Sequence, residues 1–201
     1  MTSQAYLTEF LEAQRFSVKS GLNPTQLQVP KPVLFRDAAE SDVRQMMDTA
    51  YSCPEFGEGV KNTLKNSRFF KEAFSRVRQC VPVHLLAWVG LPDNLQRRSV
   101  LTIGFVEING VVHYPVTQAD LRLRAITKQG DLVQLHAWLT FDSGEIVDNS
   151  LAASMNAVKH SAFTRADEII YGHPWNGRGI DYHPVATGAY WGELLGVLSF
   201  G

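Results

Sequence analysis

The apolar residues Tyr6, Leu7, Phe10 and Leu11 recur at the spacing of one helical face, which predicts an amphipathic helix at the start of the chain. Asn23, Pro24, Pro30 and Pro32 then mark a loop, because residues before proline are driven away from the helical region. Ser41 is a candidate N-cap for a second helix with Val43, Met46, Met47, Ala50 and Tyr51 on its apolar face, ending before Pro54. A third helical pattern carries Phe69, Phe70, Ala73, Phe74 and Val77. The apolar run from Cys80 to Val89 would extend it, but Pro82 is tolerated only in a first turn, so a new helix is expected at Cys80 or Val81. Gly90, Leu91 and Pro92 close that helix.

Beyond Pro92 the period changes from helix to strand. Leu101–Ile108 and Val111–Tyr114 flank Asn109-Gly110, and both central residues of a type I′ hairpin turn need positive φ. Thr117–Lys128 fits either a helix ending at Gly130 or another strand. Leu132–Phe141 alternates as a strand and turns at Asp142-Ser143-Gly144 into Glu145–Asp148. Asn149 or Ser150 can then cap a helix through Val158. Gly172–Asp181 reads as a polar Gly- and Pro-containing loop, followed by an apolar segment with Tyr190, Trp191, Leu194 and Leu195.

These elements describe an α+β protein, and 201 residues suit one domain, with residues 1–65 as a helical N-terminal part and 66–201 as its core. Apolar residues at 45% and charged residues at 19% exclude a largely disordered chain. A formal net charge of −1 gives no general attraction to polyanions, so neither nucleic acid nor membrane is expected as a partner. The segment Lys61–Arg98 is locally basic, with eight Lys or Arg against Glu72 and Asp93. Without interleaved aromatics it reads first as a solvated helix face and second as a phosphate-binding or acidic-partner face. No apolar run is long enough to span a bilayer, and Met1–Phe16 lacks the pattern of a secretory signal, so cytoplasmic residence is expected. Cys53 and Cys80 are too few for a disulfide framework, although one bridge stays open.

Cysteine chemistry needs a thiolate, a base to move its proton and a group to orient the base. A thiol at a helix start meets the positive end of the helix dipole and lies beside unpaired backbone N–H groups, which makes Cys80 the candidate nucleophile. Arg76 and Arg78 add positive potential upstream. In Leu135–Phe141 the pleat sets His136, Trp138 and Thr140 on the more polar face. Asp148 follows His136 by twelve residues across a short hairpin, so antiparallel pairing returns it to the histidine. The bland readings stand beside this one. Cys80 fits a small buried hydrophobe, His136 a hydrogen-bonded core residue, and Asp148 a helix cap. His113 and His136 form no metal set, for want of a third ligand at a usable spacing. His84 is either core or support for Cys80, and the loop between His173-Pro174 and His183-Pro184 is either a lid or plain surface.

The order of Cys80 at a helix start, strands, His136-x-Trp138, a hairpin and Asp148 resembles the core of the transglutaminase-like and papain-like cysteine enzymes. The likeness covers Gln79–Asn149, roughly a third of a chain this size. It implies a helix carrying the nucleophile packed on an antiparallel sheet, and a Cys80–His136–Asp148 triad transferring acyl groups from amide bonds through a thioester. It also implies a protein or peptide substrate, no cofactor and no metal. Water as acceptor gives a protease, amidase or deamidase, and an amine gives a transglutaminase. Gln79 and Trp138 take the oxyanion and substrate-binding positions in this likeness. The chain departs from it in having Val81-Pro82 where an aromatic often follows the nucleophile, and a glutamine immediately before the cysteine.

Overall fold

The computed structural model describes residues 1–20, 62, 66, 76–127, 134–175 and 178–195. The expected helix over 41–53, the proline loop and Cys53 lie outside them, as does the expected helix from Phe69 through Phe74, whose last apolar position, Val77, falls in a turn. Six helices and six strands follow in order among the described residues: α1 Ser3–Lys19, α2 Cys80–Val89, α3 Asp93–Gln96, β1 Ser99–Ile108, β2 Val111–His113, α4 Gln118–Thr127, β3 His136–Phe141, β4 Ile146–Asp148, α5 Leu151–Ala157, β5 Ile170–Gly172, β6 Ile180–Thr187 and α6 Trp191–Leu194. The protein is α+β, with every described strand pair antiparallel. No helix among the described residues is long and apolar enough to cross a membrane.

The long strand β1 organises the sheet. One edge pairs with β6; the other pairs with β3 over Ser99–Gly104 and with β2 over Val106–Ile108. Beyond β3 lie β4 and then β5. The β1–β2 turn is the expected Asn109-Gly110, at φ 52° and 82°. The turn after β3 closes through Gly144 at φ 78°, with Gly144 N–H donating to Phe141 O.

Both faces of the sheet are covered. On one, Leu101, Ile103, Ala137, Leu139, Phe141 and Val147 pack with Val81, Leu85 and Trp88 of α2, Leu121 of α4 and Trp191 of α6. On the other, Val100, Val106, Ile108, Trp138 and Ile146 pack with Tyr6, Leu7 and Phe10 of α1 and Leu151, Ala152 and Met155 of α5. The stripe on α1 is therefore a core face as its spacing predicts, and the His136 face of β3 is polar in composition but fully buried.

Thr117–Lys128, open between helix and strand, resolves as helix α4. Its start is a reciprocal cap: Thr117 N–H donates to Asp120 Oδ2 at 2.8 Å, and Asp120 N–H to Thr117 Oγ1 at 3.2 Å. Strands β5 and β6 correct the reading of a tail without strands. His183-Pro184 falls inside β6 rather than closing a loop, at the point where the β1–β6 register shifts. Proline is tolerated there because β6 is an edge strand among the described residues and lies beside an irregularity, where one ladder donor is dispensable.

Candidate active site

Helix α2 begins at Cys80, with Gln79 as its N-cap and Pro82 in its first turn, as the proline required. Gln79 makes no side-chain capping bond, and no described residue accepts the N–H groups of Cys80 and Val81. The apolar side of α2 docks on Ala137 and Leu139, which brings its first residue to the start of β3. There the half-buried Cys80 Sγ donates to Leu135 O at 3.6 Å, one residue before His136.

His136 uses its two ring nitrogens for different partners. Nε2 donates to Asp148 Oδ2 at 2.6 Å, so Nδ1 is the atom left for the thiol. The register pairs Leu139 with Val147, which sets Asp148 opposite Trp138 on the same face and diagonal to His136. His136 and Asp148 are 2% and 0% exposed, which leaves no room for water to compete for their bond.

A carboxylate costs several kcal/mol to bury unless its lone pairs are filled. Asp148 Oδ2 also accepts from Tyr182 Oη at 3.0 Å, and Oδ1 accepts from the N–H groups of Ser150 and Leu151, each at 3.0 Å. Four such bonds, each about 1.5–3 kcal/mol to a charged group, offset the burial cost. The cap and the orienting carboxylate are thus one residue: Asp148, rather than the side chain of Ser150, satisfies the first turn of α5.

The electrostatics follow from that geometry. Burial alone would strip the proton from His136, but the Asp148 carboxylate with its hydrogen bond, and after it the nearby Cys80 thiol, outweigh it, and its pKa rises to about 10. Burial opposes ionisation of Asp148 too, yet the charges of His136 and His84 and its hydrogen bonds hold its carboxyl well below the usual range. Burial, reinforced by Asp148, keeps the Tyr182 hydroxyl protonated as a donor.

His84 answers the alternative left open for it. Fully buried one turn into α2, it donates from Nδ1 to Cys80 O at 2.6 Å and accepts at Nε2 from Asn149 N–H at 2.8 Å. Burial lowers its pKa to about 4, so it is neutral near pH 7. The 3.6 Å between His84 Nε2 and Asp148 Oδ1 is then no ion pair, since Nε2 carries no proton. His84 ties the nucleophile's helix to the loop that follows Asp148.

One expected role changes. Trp138 is 0% exposed, its indole N–H donating to Tyr6 Oη at 3.2 Å and its ring stacking on His136 at 6.0 Å, so it supports the histidine and does not face a substrate. His113 meets His160, 5.4 Å ring to ring, rather than His136. Gln79 is exposed beside Cys80. Of the basic segment, Arg76 is buried and Arg98 donates to Asp142 at 2.8 Å, while Lys61, Lys65, Arg68 and Lys71 lie outside the described residues. A cavity of about 220 Å³ beside β5 and β6 is lined by His173, Arg178 and Tyr182 but reaches neither Cys80 nor His136.

Sequence reading missed Tyr182 and Tyr114. Tyr182 was masked by the prolines and glycines around β6. Tyr114 stacks on His136 at 5.4 Å with the backbone at φ 59°, although a residue preceding proline is expected to be extended. No family model, curated protein or solved structure matches this chain.

Proposed function

We propose that the chain is a cysteine-nucleophile acyl-transfer enzyme on a transglutaminase-like or papain-like fold, with Cys80 as nucleophile, His136 as proton carrier and Asp148 as the group orienting it. One observation carries the reading: buried His136 is clamped through Nε2 by Asp148, leaving Nδ1 for a half-buried thiol at a helix start. An imidazolium and a helix N-terminus both favour a thiolate beside them. The N–H groups of Cys80 and Val81, which no described residue accepts, suit an oxyanion.

In the reaction, Sγ, with the proton already held by His136, bonds to an amide carbonyl carbon, and the C=O π pair moves to the oxygen. Collapse of that oxyanion breaks the C–N bond, the amine leaves with the proton from His136, and a thioester remains on Cys80. Water or a second amine then attacks the thioester carbon, its proton goes to His136 and on to Sγ, and the C–S bond breaks. The amide donor is expected to be a protein or peptide.

The test uses the full chain with Cys53→Ser as background. Iodoacetamide should alkylate Cys80 readily near pH 7, and an activated ester should leave an acyl group on Cys80 detectable by mass spectrometry. His136→Ala should slow acylation by about 10³-fold or more, the scale of losing one member of a triad. Alkylation insensitive to His136→Ala, with no acyl adduct, would reduce Cys80 to a packing residue.

A further inference from the structure

The connection from β5 to β6 borders a cavity that the candidate site does not use. Its volume is about 220 Å³, and its apolar wall is Ile146 of β4, Ile170 of β5 and Ile180 of β6, all buried. His173 and Arg178 of the connection also line it, as does Tyr182. Since the Tyr182 hydroxyl donates to Asp148 at 3.0 Å, the cavity lies behind the clamp on His136 without reaching the thiol. At His173 the connection is fixed in place. Nε2 donates to Ser143 O at 3.1 Å, and the ring stacks on Trp175 at 4.5 Å and 29°. Trp175 in turn meets Tyr6 of α1 at 6.1 Å. A wall tied both to the β3–β4 turn and to α1 is preformed, so a ligand does not have to order it.

Arg178 is the one fixed charge on that wall. It is exposed, so it stands where the cavity opens. Arg98 and Arg165 each have a carboxylate partner, whereas Arg178 has none among the described residues. A guanidinium presents a planar fork of donors that fits both oxygens of a carboxylate, and one positive charge balances one negative charge. The three buried isoleucines offer the opposite chemistry, a lining that gains from covering apolar surface. Volume sets the size of the guest. The cavity exceeds the about 150 Å³ that holds a benzene ring and falls short of the about 300 Å³ where drug-sized sites begin. That suits a compact acid with a ring or a branched chain, and not a length of peptide.

We propose that this cavity binds a small monocarboxylic acid, its carboxylate on the Arg178 fork and its apolar body against Ile146, Ile170 and Ile180. The site is separate from Cys80, and the proposal stands whether or not the chain transfers acyl groups.

Titration calorimetry of the full chain at neutral pH tests this with benzoate, which has a ring-sized body, and acetate, which has almost none. Benzoate should bind with a Kd of about 1 mM or below, and acetate at least about tenfold more weakly for want of apolar area. Benzamide has the shape without the charge, and inorganic phosphate the charge without the body; each should also fall about tenfold or more behind benzoate. Arg178→Gln should weaken benzoate by about 10–100-fold, the worth of a hydrogen bond to a charged group, and leave benzamide as it was. Because that side chain is exposed, the variant should fold as the wild type does. Benzoate that does not bind, or that binds equally well to Arg178→Gln, overturns the proposal. Acetate or phosphate equal to benzoate overturns it too, since Arg178 would then act as a surface cation and the cavity would play no part.

Discussion

The two faces of β3 are equally buried and held in opposite ways. Ala137, Leu139 and Phe141 meet the apolar side chains of α2 and α6, in contacts that need volume but no particular direction. Across the same strand, Thr140 bonds Thr102 at 2.7 Å and Tyr6 at 3.0 Å, Tyr6 receives the Trp138 indole, and His136 and Tyr182 share Asp148. Burial alone does not distinguish the faces; the consequence of a lesion does. An apolar face relaxes around a missing methylene, whereas each polar group left without a partner costs about 1–3 kcal/mol. The apolar face decides where Cys80 arrives, the polar face decides how His136 is held, and the candidate site lies at the strand end where the two meet.

The harshest way to break the polar face is Asp148→Ala. It removes four acceptor contacts and leaves His136, Tyr182 Oη and the N–H groups of Ser150 and Leu151 buried without that partner. Removing one member of a buried charged pair costs about 3–5 kcal/mol, a large fraction of a typical domain's stability. Urea unfolding should show a loss of that size, with Cys80 alkylation slowed in the fraction that stays folded. A loss below about 1 kcal/mol would mean that the network closes without its carboxylate.

Acidity separates the two histidines that share this carboxylate. His136 has its pKa raised from 6.5 to about 10, so its contribution is full below 6.5 and disappears as pH rises through 10. His84 has its pKa lowered from 6.5 to about 4, so its neutral form contributes above 6.5 and stability falls as pH drops toward 4. The Asp148 contribution is lost at still lower pH, because its carboxyl titrates below the usual range. The urea midpoint should therefore peak near pH 6.5 and fall on both sides. His84→Gln should flatten the limb between 6.5 and 4, and His136→Gln the limb between 6.5 and 10. Limbs of wild-type slope in these variants would assign the titrations to other groups.

Much of this was legible before any coordinates. Pro82 located the helix start at Cys80 because proline is harmless only in a first turn, and Asn109-Gly110 located the hairpin because few pairs accept two positive φ values. Pleat and hairpin together sufficed to bring Asp148 back to His136. What escaped was set by tertiary contact. Tyr182 lies on β6, whose Pro184 breaks the local strand signal while pairing with β1 holds the strand in the sheet. Tyr114 takes a backbone conformation that its own neighbour, Pro115, argues against. The family likeness set Trp138 at the substrate, but the polarity of its face is spent inside the molecule on Tyr6, Thr140 and Thr102.

The mildest test sets two neighbours on β1 against each other. Gly104 is paired with His136 on one side and Pro184 on the other, on the polar face between Trp138 and Tyr182. A Cβ there would run into the carbonyl oxygen of His183 and stand 2.9 Å from Trp138 Cη2. The glycine is thus the gap that lets the indole lie against Tyr182, 5.1 Å between rings, while Tyr182 reaches Asp148. Ile103, one residue earlier, is fully buried on the apolar face. Gly104→Ala should cost about 1–3 kcal/mol, as overpacking does, and Ile103→Val about 0.5–1.5 kcal/mol for one methylene. The costs nearly overlap, but their effect on Cys80 should not. Displacing Trp138 removes the ring stacked behind His136, so Gly104→Ala should slow alkylation several-fold, whereas Ile103→Val should leave it at the wild-type rate. Equal slowing in both would mean that stability, and not the directed contacts of the polar face, governs the thiol.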